Sequence, residues 1–425
     1  MRTKFFFFSA LCLCLIGLVI FFQPATQAAP LAICISTTGG GDWATVGTWQ
    51  FCTGTNPPAA TDDVYIQGPV TLAAPQTAAN VTVSNGGSLN PAANTLTASS
   101  MMIDAGGLFT GALTLAGNLT DNGSFNGNGQ TVIVNGTTSV GSGATFTAGS
   151  STTLVGTLTN NGTFNCGGNT VNFQGNLTNN GTLNCGSGTV NFNGDFGQSV
   201  SSSTGAFAFN NFAISDPTGV MLNKNASVAG TLTFNSGDLA TGANILDLSG
   251  ATVAGAGGGD VVGNVKRTQV FATATDYAFN SPNTLINFTT LTSAPTDITI
   301  NLAKSNPTGF ARSLAREYNI TANGAPVFAA TLQLHYKSSE VLGTGITEAN
   351  MRAWRFNTTL GKWELQAGNQ TTNADNSNVQ ATGVAAFSKW ALSDSGAPTA
   401  VKLSSFHANA PSFDLGAWLA SWFNR

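Results

Sequence analysis

Charged side chains are scarce in this sequence. Asp, Glu, Lys and Arg make up 8% of its 425 residues, against about 25% in an ordinary soluble domain. No Lys or Arg occurs between Lys4 and Lys224, so this half of the chain has no basic stripe to neutralise phosphates. The composition therefore excludes a nucleic-acid binder, a coiled coil and a typical cytosolic helical enzyme.

Motifs for catalysis and metal binding are scarce as well. The chain has 2 histidines and contains no C-x-x-C pair, no G-x-S-x-G motif and no phosphate-binding loop. Asp62 and Asp63 are a candidate pair of calcium ligands or acid/base groups, and a turn before a strand is the structural alternative. Asp238, Asp247 and Asp260 are a further calcium candidate. We otherwise expect no cofactor.

The N-terminal segment has the layout of a secretory signal peptide. Arg2 and Lys4 precede an apolar run over 5–22, and Ala28 ends a segment of small and polar residues suited to cleavage. We predict a signal peptide over 1–28 and a secreted, cell-surface-associated protein with no other membrane contact. An uncleaved anchor is the alternative, because the apolar run reaches the short limit for a membrane span.

The most informative feature that is present is a repeat of about 19 residues. Gly156, Gly175 and Gly194 follow one another at intervals of 19, and Gly156 and Gly175 each precede a strand-like stretch and an Asn-Gly corner. A unit this short cannot bury its apolar side alone, whereas stacked units bury a continuous core. We therefore predict an all-β fold whose first part is a right-handed parallel β-helix with about 19 residues per coil.

Stacking like on like assigns equivalent positions. Phe125, Phe164 and Leu183 should share one interior position. Asn side chains should form ladders at two corners; the two sets are Asn122, Asn161 and Asn180, and Asn126, Asn165 and Asn184.

Four cysteines remain in the mature part, an even number that permits two disulfides in a secreted chain. Cys34 and Cys52 flank the segment that contains Trp43 and could staple it. The repeat places Cys166 directly over Cys185, where a disulfide and two buried thiols are equal alternatives.

Composition shifts divide the remaining chain. We predict an N-terminal cap over 29–63, β-helix repeats over 64–260, an antiparallel β-sandwich over 261–396, and a linker with a short tail over 397–425. Strand-like runs in the sandwich lie at 298–302, 331–336, 353–356, 363–365 and 387–392. A turn at 359–362 makes a hairpin of two of them.

The sandwich also carries the residues we assign to binding and to the surface. Trp354 and Trp363 on the hairpin are candidate ligand contacts, with a place in the core as the alternative. His335 is expected to face outward from its strand. A surface salt-bridge cluster is expected from Arg312, Arg316 and Glu317.

The layout resembles large bacterial secreted or cell-surface proteins with β-helix, adhesin-like repeats and a C-terminal β-sandwich. The resemblance is carried by Trp43 and Trp49, by the Asn-Leu-Thr-x-Asn-Gly repeats, and by the segments at 230–244 and 387–394. It covers most of the mature chain and implies architecture rather than activity, because fold does not fix function.

These observations favour a non-enzymatic extracellular structural or adhesive protein, with a rigid β-helix stalk and a C-terminal binding or docking module. The expected partners are an extracellular glycan, other surface proteins or further copies of the chain. One alternative is a polysaccharide lyase or hydrolase, which would require a cleft built from several of Asp195, Asp216, Lys224, Asp238, Lys266 and Arg267. Another is a self-assembling surface-layer or filament subunit, which would require an exposed edge on the last coil.

Overall fold

The computed structural model describes residues 32–255, 258–374 and 376–394. The predicted signal peptide and the predicted linker and tail lie outside the described residues. The chain is all-β with 3% helix, and a parallel β-solenoid of about 19 residues per turn precedes antiparallel sheets. The predicted fold class is thereby confirmed, and the solenoid has about 11 turns.

The chain enters the solenoid through a two-layered cover. Strand β1 (Ile33–Ser36) pairs antiparallel with β3 (Trp49–Cys52) and parallel with β4 (Asp63–Ile66), so parallel pairing begins within the segment predicted as a cap. The rings of Trp43 and Trp49 are buried with centroids 5.1 Å apart. The other elements here are β2 (Gly41–Asp42), a 3-10 turn (Val46–Thr48) and β5 (Pro69–Thr71).

Each solenoid coil contributes short strands to three faces. Strands of one face pair in parallel with the same face one coil earlier and one coil later. Strands β6 to β18 are Gln76–Val83, Ser88–Asn90, Thr95–Ile103, Leu108–Thr110, Ala112–Leu115, Leu119–Asp121, Ser124–Asn126, Thr131–Val134, Thr138–Val140, Thr145–Thr147, Ser151–Leu154, Leu158–Asn160 and Thr163–Asn165. Strands β19 to β30 are Thr170–Phe173, Leu177–Asn179, Thr182–Asn184, Thr189–Phe192, Gln198–Ser201, Phe207–Phe209, Asn211–Ile214, Val220–Leu222, Ala226–Val228, Thr231–Phe234, Leu239–Asp247 and Thr252–Ala254.

Two of the faces belong to a 28-stranded sheet, and the third is a separate 8-stranded sheet that ends at β21. Alternation of side chains decides which residues enter the interior. In β13, for example, Val132 and Val134 are buried while Thr131 points to solvent, as expected for a half-buried strand.

Glycine begins each repeat because neighbouring coils touch there. A Cβ atom on Gly136 would lie 2.4 Å from the backbone of Gly117, and a Cβ on Gly156 or Gly175 would lie 2.4 Å from the backbone of the glycine one coil earlier. A side chain at these positions would push the coils apart, so only glycine allows the 4.8 Å stacking that is typical of strands.

The interior is a column of stacked side chains. Phe109, Phe125, Phe146 and Phe164 stack with centroid distances of 5.0, 4.4 and 4.7 Å. Leu183 pairs with Phe164 in the next coil, which confirms the predicted equivalence of these positions. Aromatic stacking of this kind adds to the apolar burial that holds a solenoid together.

Asparagine ladders form, with interruptions. Asn180 Nδ2 donates to Asn161 Oδ1 at 3.0 Å, whereas Gly141 takes the place between Asn161 and Asn122. The second predicted set is in register but broken by Thr147. Two further ladders were not predicted: buried Asn160 donates to Asn179 at 2.6 Å, and on the surface Asn191 donates to Asn172 at 2.8 Å.

Both cysteine pairs are bonded in the structure. Cys34 is joined to Cys52 and Cys166 to Cys185, with Cα atoms 4.1 and 4.4 Å apart. The first bond links the antiparallel pair β1 and β3. The second links successive coils at one corner, so the two bonds act in different parts of the solenoid.

Removal of the inter-coil bond should lower stability. For the double variant Cys166→Ala/Cys185→Ala we expect a loss of about 3 kcal/mol in the free energy of unfolding, because the bond restricts the unfolded chain. Urea denaturation of the oxidised proteins measures this loss. The matched control is Cys34→Ala/Cys52→Ala. The bond it removes spans a sequence separation of 18, close to the 19 of the Cys166–Cys185 bond. An unchanged midpoint for the first variant would contradict the prediction.

The C-terminal part continues the solenoid sheet and adds a second sheet. Strand β31 (Val261–Arg267) pairs in parallel with β29 and antiparallel with β34 (Ile298–Ala303), so it belongs to both parts. The first sheet continues through β35 (Glu317–Ala322), β41 (Lys389–Asp394), β37 (Met351–Asn357) and β38 (Lys362–Leu365). The second, five-stranded sheet consists of β32 (Asp276–Ala278), β33 (Leu285–Ser293), β36 (Val327–His335), β39 (Gln370–Asn373) and β40 (Asn378–Val384).

All five strand-like runs predicted here are strands, with ends displaced by a few residues. The predicted hairpin is the antiparallel pair β37 and β38, in which Phe356 lies opposite Trp363. A short helix α1 (Ser338–Val341) and a 3-10 turn (Glu348–Asn350) connect β36 to β37. Strand β34 pairs with the outer edge of β31, which is one of the strand edges that end-to-end assembly would need.

Candidate functional site

Charged side chains concentrate where the last coils meet the C-terminal sheets. Asp260 directly precedes β31, and its carboxylate is fully buried. Arg316 Nη2 lies 2.5 Å from Asp260 Oδ2, and Arg316 Nε lies 2.5 Å from Glu340 Oε2 on α1. His335 Nδ1, at the end of β36, lies 2.9 Å from Asp260 Oδ1.

Two lysines complete this group. Lys304 Nζ lies 2.6 Å from Asp238 Oδ2 and 2.8 Å from Asp260 Oδ2, and Lys337 Nζ lies 3.2 Å from Asp238 Oδ1. Burial raises the pKa of Asp260, but the charge of Arg316 and the hydrogen bond of His335 outweigh it and hold this pKa below its usual range. The junction cluster comprises Asp238, Asp260, Lys304, Arg316, His335, Lys337 and Glu340.

The junction cluster corrects three expectations. His335 is 5% exposed rather than outward-facing, because the last solenoid coil covers the side of β36 that would otherwise meet solvent. The predicted cluster of Arg312, Arg316 and Glu317 is split among separate partners: Arg316 is buried in the junction, Arg312 pairs with Asp394 at 2.7 Å, and Glu317 pairs with Lys389 at 2.8 Å. The calcium site predicted from Asp238, Asp247 and Asp260 is not assembled: lysine and arginine pair with the carboxylates of Asp238 and Asp260, and Asp247 Oδ1 accepts from the backbone N–H of Ser249 at 2.8 Å.

The carboxylates of Asp62 and Asp63 accept hydrogen bonds, the first from the local backbone and the second from a neighbouring coil. Asp62 Oδ2 accepts from the backbone N–H of Ala59 at 2.8 Å, which closes a turn. Asp63 Oδ1 accepts from Asn80 Nδ2 at 2.7 Å, in the next coil. Over the described ranges, no group of three His, Cys, Asp or Glu side chains is arranged to hold a metal ion.

Four of the six residues named for a polysaccharide-cleaving enzyme have separate partners. Asp216 Oδ1 accepts from Thr218, Lys266 lies 3.8 Å from Asp297, and Asp238 belongs to the junction cluster. Arg267 is buried and donates to the carbonyl oxygens of Leu248, Ala251 and Ala278 at 2.6 to 2.8 Å. These side chains therefore form hydrogen bonds and ion pairs at the corners of the solenoid and at the junction with the C-terminal sheets.

The two tryptophans of the hairpin are packed inside. Trp354 and Trp363 are 6% and 3% exposed, and both rings contact Phe310 at centroid distances of 5.2 and 5.4 Å. Trp363 Nε1 donates to the carbonyl oxygen of Thr308 at 3.0 Å. Neither indole ring therefore presents a broad exposed surface on which a ligand could stack.

A cavity of about 390 Å³ nevertheless opens beside Trp363. Phe356 lines it from the opposite strand of the hairpin, and Glu317 and Lys389 line it from the neighbouring strands β35 and β41. Its volume is within the range of about 300 to 1,000 Å³ found for small-molecule sites. Aromatic carbon, a carboxylate and an ammonium group therefore face one space.

Comparison with protein-family models, with curated proteins and with solved structures gave no match to this chain. Of the resemblance drawn from the sequence, the structure shows the parallel β-solenoid. Among the described residues, none of the helices has the length and apolar character needed to span a bilayer.

Sequence reasoning missed the junction cluster, although one signal points to it. Asp216, Asp238 and Asp260 follow one another at intervals of 22 residues, which places them at the same corner of three successive coils. The basic partners of Asp238 and Asp260 are Lys304, Arg316, His335 and Lys337, which come from three later segments with no common spacing. The cavity was missed in part: Trp363 was predicted as a ligand contact, whereas Glu317 was assigned to a surface salt-bridge cluster and Phe356 and Lys389 were not singled out.

Proposed function

We propose that this protein is a non-enzymatic, extracellular structural and adhesive protein. The solenoid is the stalk, and the C-terminal sheets are the module that binds or docks. The observation that carries the proposal is the way the two parts are joined. Strand β31 is hydrogen-bonded to both, and the buried junction cluster fixes their contact.

A rigid connection of this kind between the solenoid and the C-terminal sheets is what a stalk requires. Inter-domain contacts in one chain usually allow relative motion unless they are large or tightly held. Here the sheet is continuous, and Asp260 on the solenoid side is paired with Arg316 and Lys304 on the other side. With about 11 turns at ~4.8 Å each, the shaft extends over roughly 50 Å.

The surface of the stalk presents groups that can hydrogen-bond to uncharged, hydroxyl-rich molecules. On the third face the outward residues of consecutive coils are in register and uncharged; they are Thr110, Asn126, Thr147, Asn165 and Asn184. Each of these hydroxyl and amide groups can both donate and accept hydrogen bonds. Weak contacts repeated along a rigid shaft add up through multivalency.

Retention on polysaccharide particles tests the proposal. The mature chain, from residue 29 onward, is incubated with insoluble cellulose, chitin, mannan and pectin particles, and bound protein, reducing sugar and unsaturated product are measured in the same samples. We expect retention without any product. Release of reducing sugar or of a double bond would overturn the non-enzymatic assignment, and failure to be retained on any particle would overturn adhesion to polysaccharides.

A further inference from the structure

The cavity beside Trp363 has an ordered aromatic wall. Trp363 is clamped between two rings: it stacks on Phe310 with an interplanar angle of 19° and meets Phe356 edge-on at 66°. Because Trp363 is almost fully covered, its role is to position Phe356. The Phe356 ring, half-buried, supplies the apolar surface that a ligand in the cavity would meet.

The polar wall holds one donor and one acceptor together. Lys389 Nζ lies 2.8 Å from Glu317 Oε1, and the lysine side chain is 45% exposed while the glutamate is 16% exposed. Their charges cancel, so the cavity has no net charge from this pair. An ammonium group with three donors beside a carboxylate with several acceptor positions matches vicinal hydroxyl groups, which both donate and accept.

Two glycines line the cavity. Gly309 and Gly361 line it with φ of +74° and +62°, and a Cβ built on either residue would meet no atom within 4 Å. Each glycine therefore faces empty space. A side chain added at either lining position therefore meets no steric barrier from the packed core.

We propose that this cavity binds one pyranose ring of an uncharged glycan. The apolar face of the sugar would lie on Phe356, and its hydroxyl groups would bond to Lys389 and Glu317. Pockets that combine an aromatic wall with a few convergent polar groups are the general form of small-ligand sites. The assignment rests on the proposed adhesive function and names the class of ligand that the C-terminal module takes.

Closing the cavity should remove glycan binding. The variant Gly361→Asn adds a side chain to the cavity lining, and Asn tolerates the left-handed backbone that Gly361 adopts. The matched control is Gly343→Asn, since Gly343 has φ of +78°, also faces open space and lies outside the cavity. A second variant, Phe356→Leu, keeps the apolar volume but removes the aromatic face.

Binding is measured by calorimetry with soluble gluco-, manno-, galacto- and chito-oligosaccharides and with oligogalacturonate as an acidic probe. We expect the wild-type protein to bind at least one neutral oligosaccharide, with an affinity that does not change between 50 and 500 mM salt. Gly361→Asn should weaken that binding at least tenfold at an unchanged melting temperature, Phe356→Leu should weaken it about fivefold or more, and Gly343→Asn should leave it unaltered.

Three results would overturn the assignment in different ways. Unchanged binding by Gly361→Asn and Phe356→Leu would move the glycan site elsewhere and leave the adhesive function standing. Binding of oligogalacturonate alone, lost at high salt, would make the ligand acidic. No binding of any oligosaccharide by a protein that is still retained on particles would reject the glycan cavity, whereas loss of particle retention as well would reject the proposed function.

Discussion

Replacing Asp121 by Asn should raise the free energy of unfolding by about 4 kcal/mol above pH 7. Asp121 points into the solenoid interior, where it is fully buried between Ile103 and Val140 of the neighbouring coils. One carboxylate oxygen accepts the N–H of Gly123 at 3.1 Å. The other has no hydrogen-bond partner among the described residues.

Burial raises the pKa of Asp121 from 3.8 to about 7, although backbone N–H groups oppose the shift. Below pH 4 the carboxyl group is protonated in the folded and the unfolded chain, and stability is unaffected. Between pH 4 and 7 the unfolded chain releases its proton while the folded chain keeps it, so stability falls as pH rises. Above pH 7 both states are ionised and the loss is constant.

The repeat itself supplies the replacement. Asn160 occupies the equivalent position two coils later, where its Oδ1 accepts from Gly162 as Asp121 does from Gly123. Urea denaturation of the wild type and Asp121→Asn at pH 4, 6 and 8 measures the effect, and we expect the two curves to converge at pH 4. The mirror variant Asn160→Asp should acquire the pH dependence. A destabilised Asp121→Asn at pH 8 would show that the carboxylate is stabilised in the fold.

Replacing Arg316 by Met should destabilise the junction by about 3 to 5 kcal/mol. The variant leaves the buried Asp260 and the partly buried Glu340 without their principal cation. It also removes a donor to Tyr318 Oη and to the carbonyl oxygen of His335. Removing one partner of a buried ion pair destabilises the fold by far more than the intact pair stabilises it, because the remaining charge stays buried without a partner.

The control for this prediction is on the strand that joins the two parts. Lys266→Met removes a partly exposed pair with Asp297 at 3.8 Å, for which we expect a loss below ~1 kcal/mol. Thermal unfolding followed by tryptophan fluorescence and limited proteolysis report on the junction. We expect Arg316→Met to unfold in two steps, with cleavage after the last coil. A single transition at the wild-type temperature would mean that Arg316 does not stabilise this contact.

Periodic features could be predicted from the sequence, and features made by distant residues could not. The recurrence of Gly156, Gly175 and Gly194 fixes the coil length because each coil repeats the same local chemistry. Phe125 and Phe164 were placed correctly for the same reason. Strands in the C-terminal part were found from alternation alone, which is a local signal as well.

The junction and the cavity depend on contacts that no local pattern encodes. Asp260 and Arg316 are 56 residues apart, and His335 is 75 residues from Asp260. Alternation predicts that His335 points away from the core of its own sheet, but it does not reveal that another part of the chain covers it. Likewise, Trp363 is buried by Phe310, which lies in a loop without any strand pattern.

The bond between Cys166 and Cys185 has a mechanical consequence. Hydrogen bonds between coils connect only nearest neighbours, so a chain pulled from one end would unwind coil by coil and lengthen in steps of about 19 residues. The bond ties two successive coils covalently. When unwinding from either end reaches this pair, the force would pass through the bond, and the 18 residues between the two cysteines would stay out of the extended length until the bond is reduced.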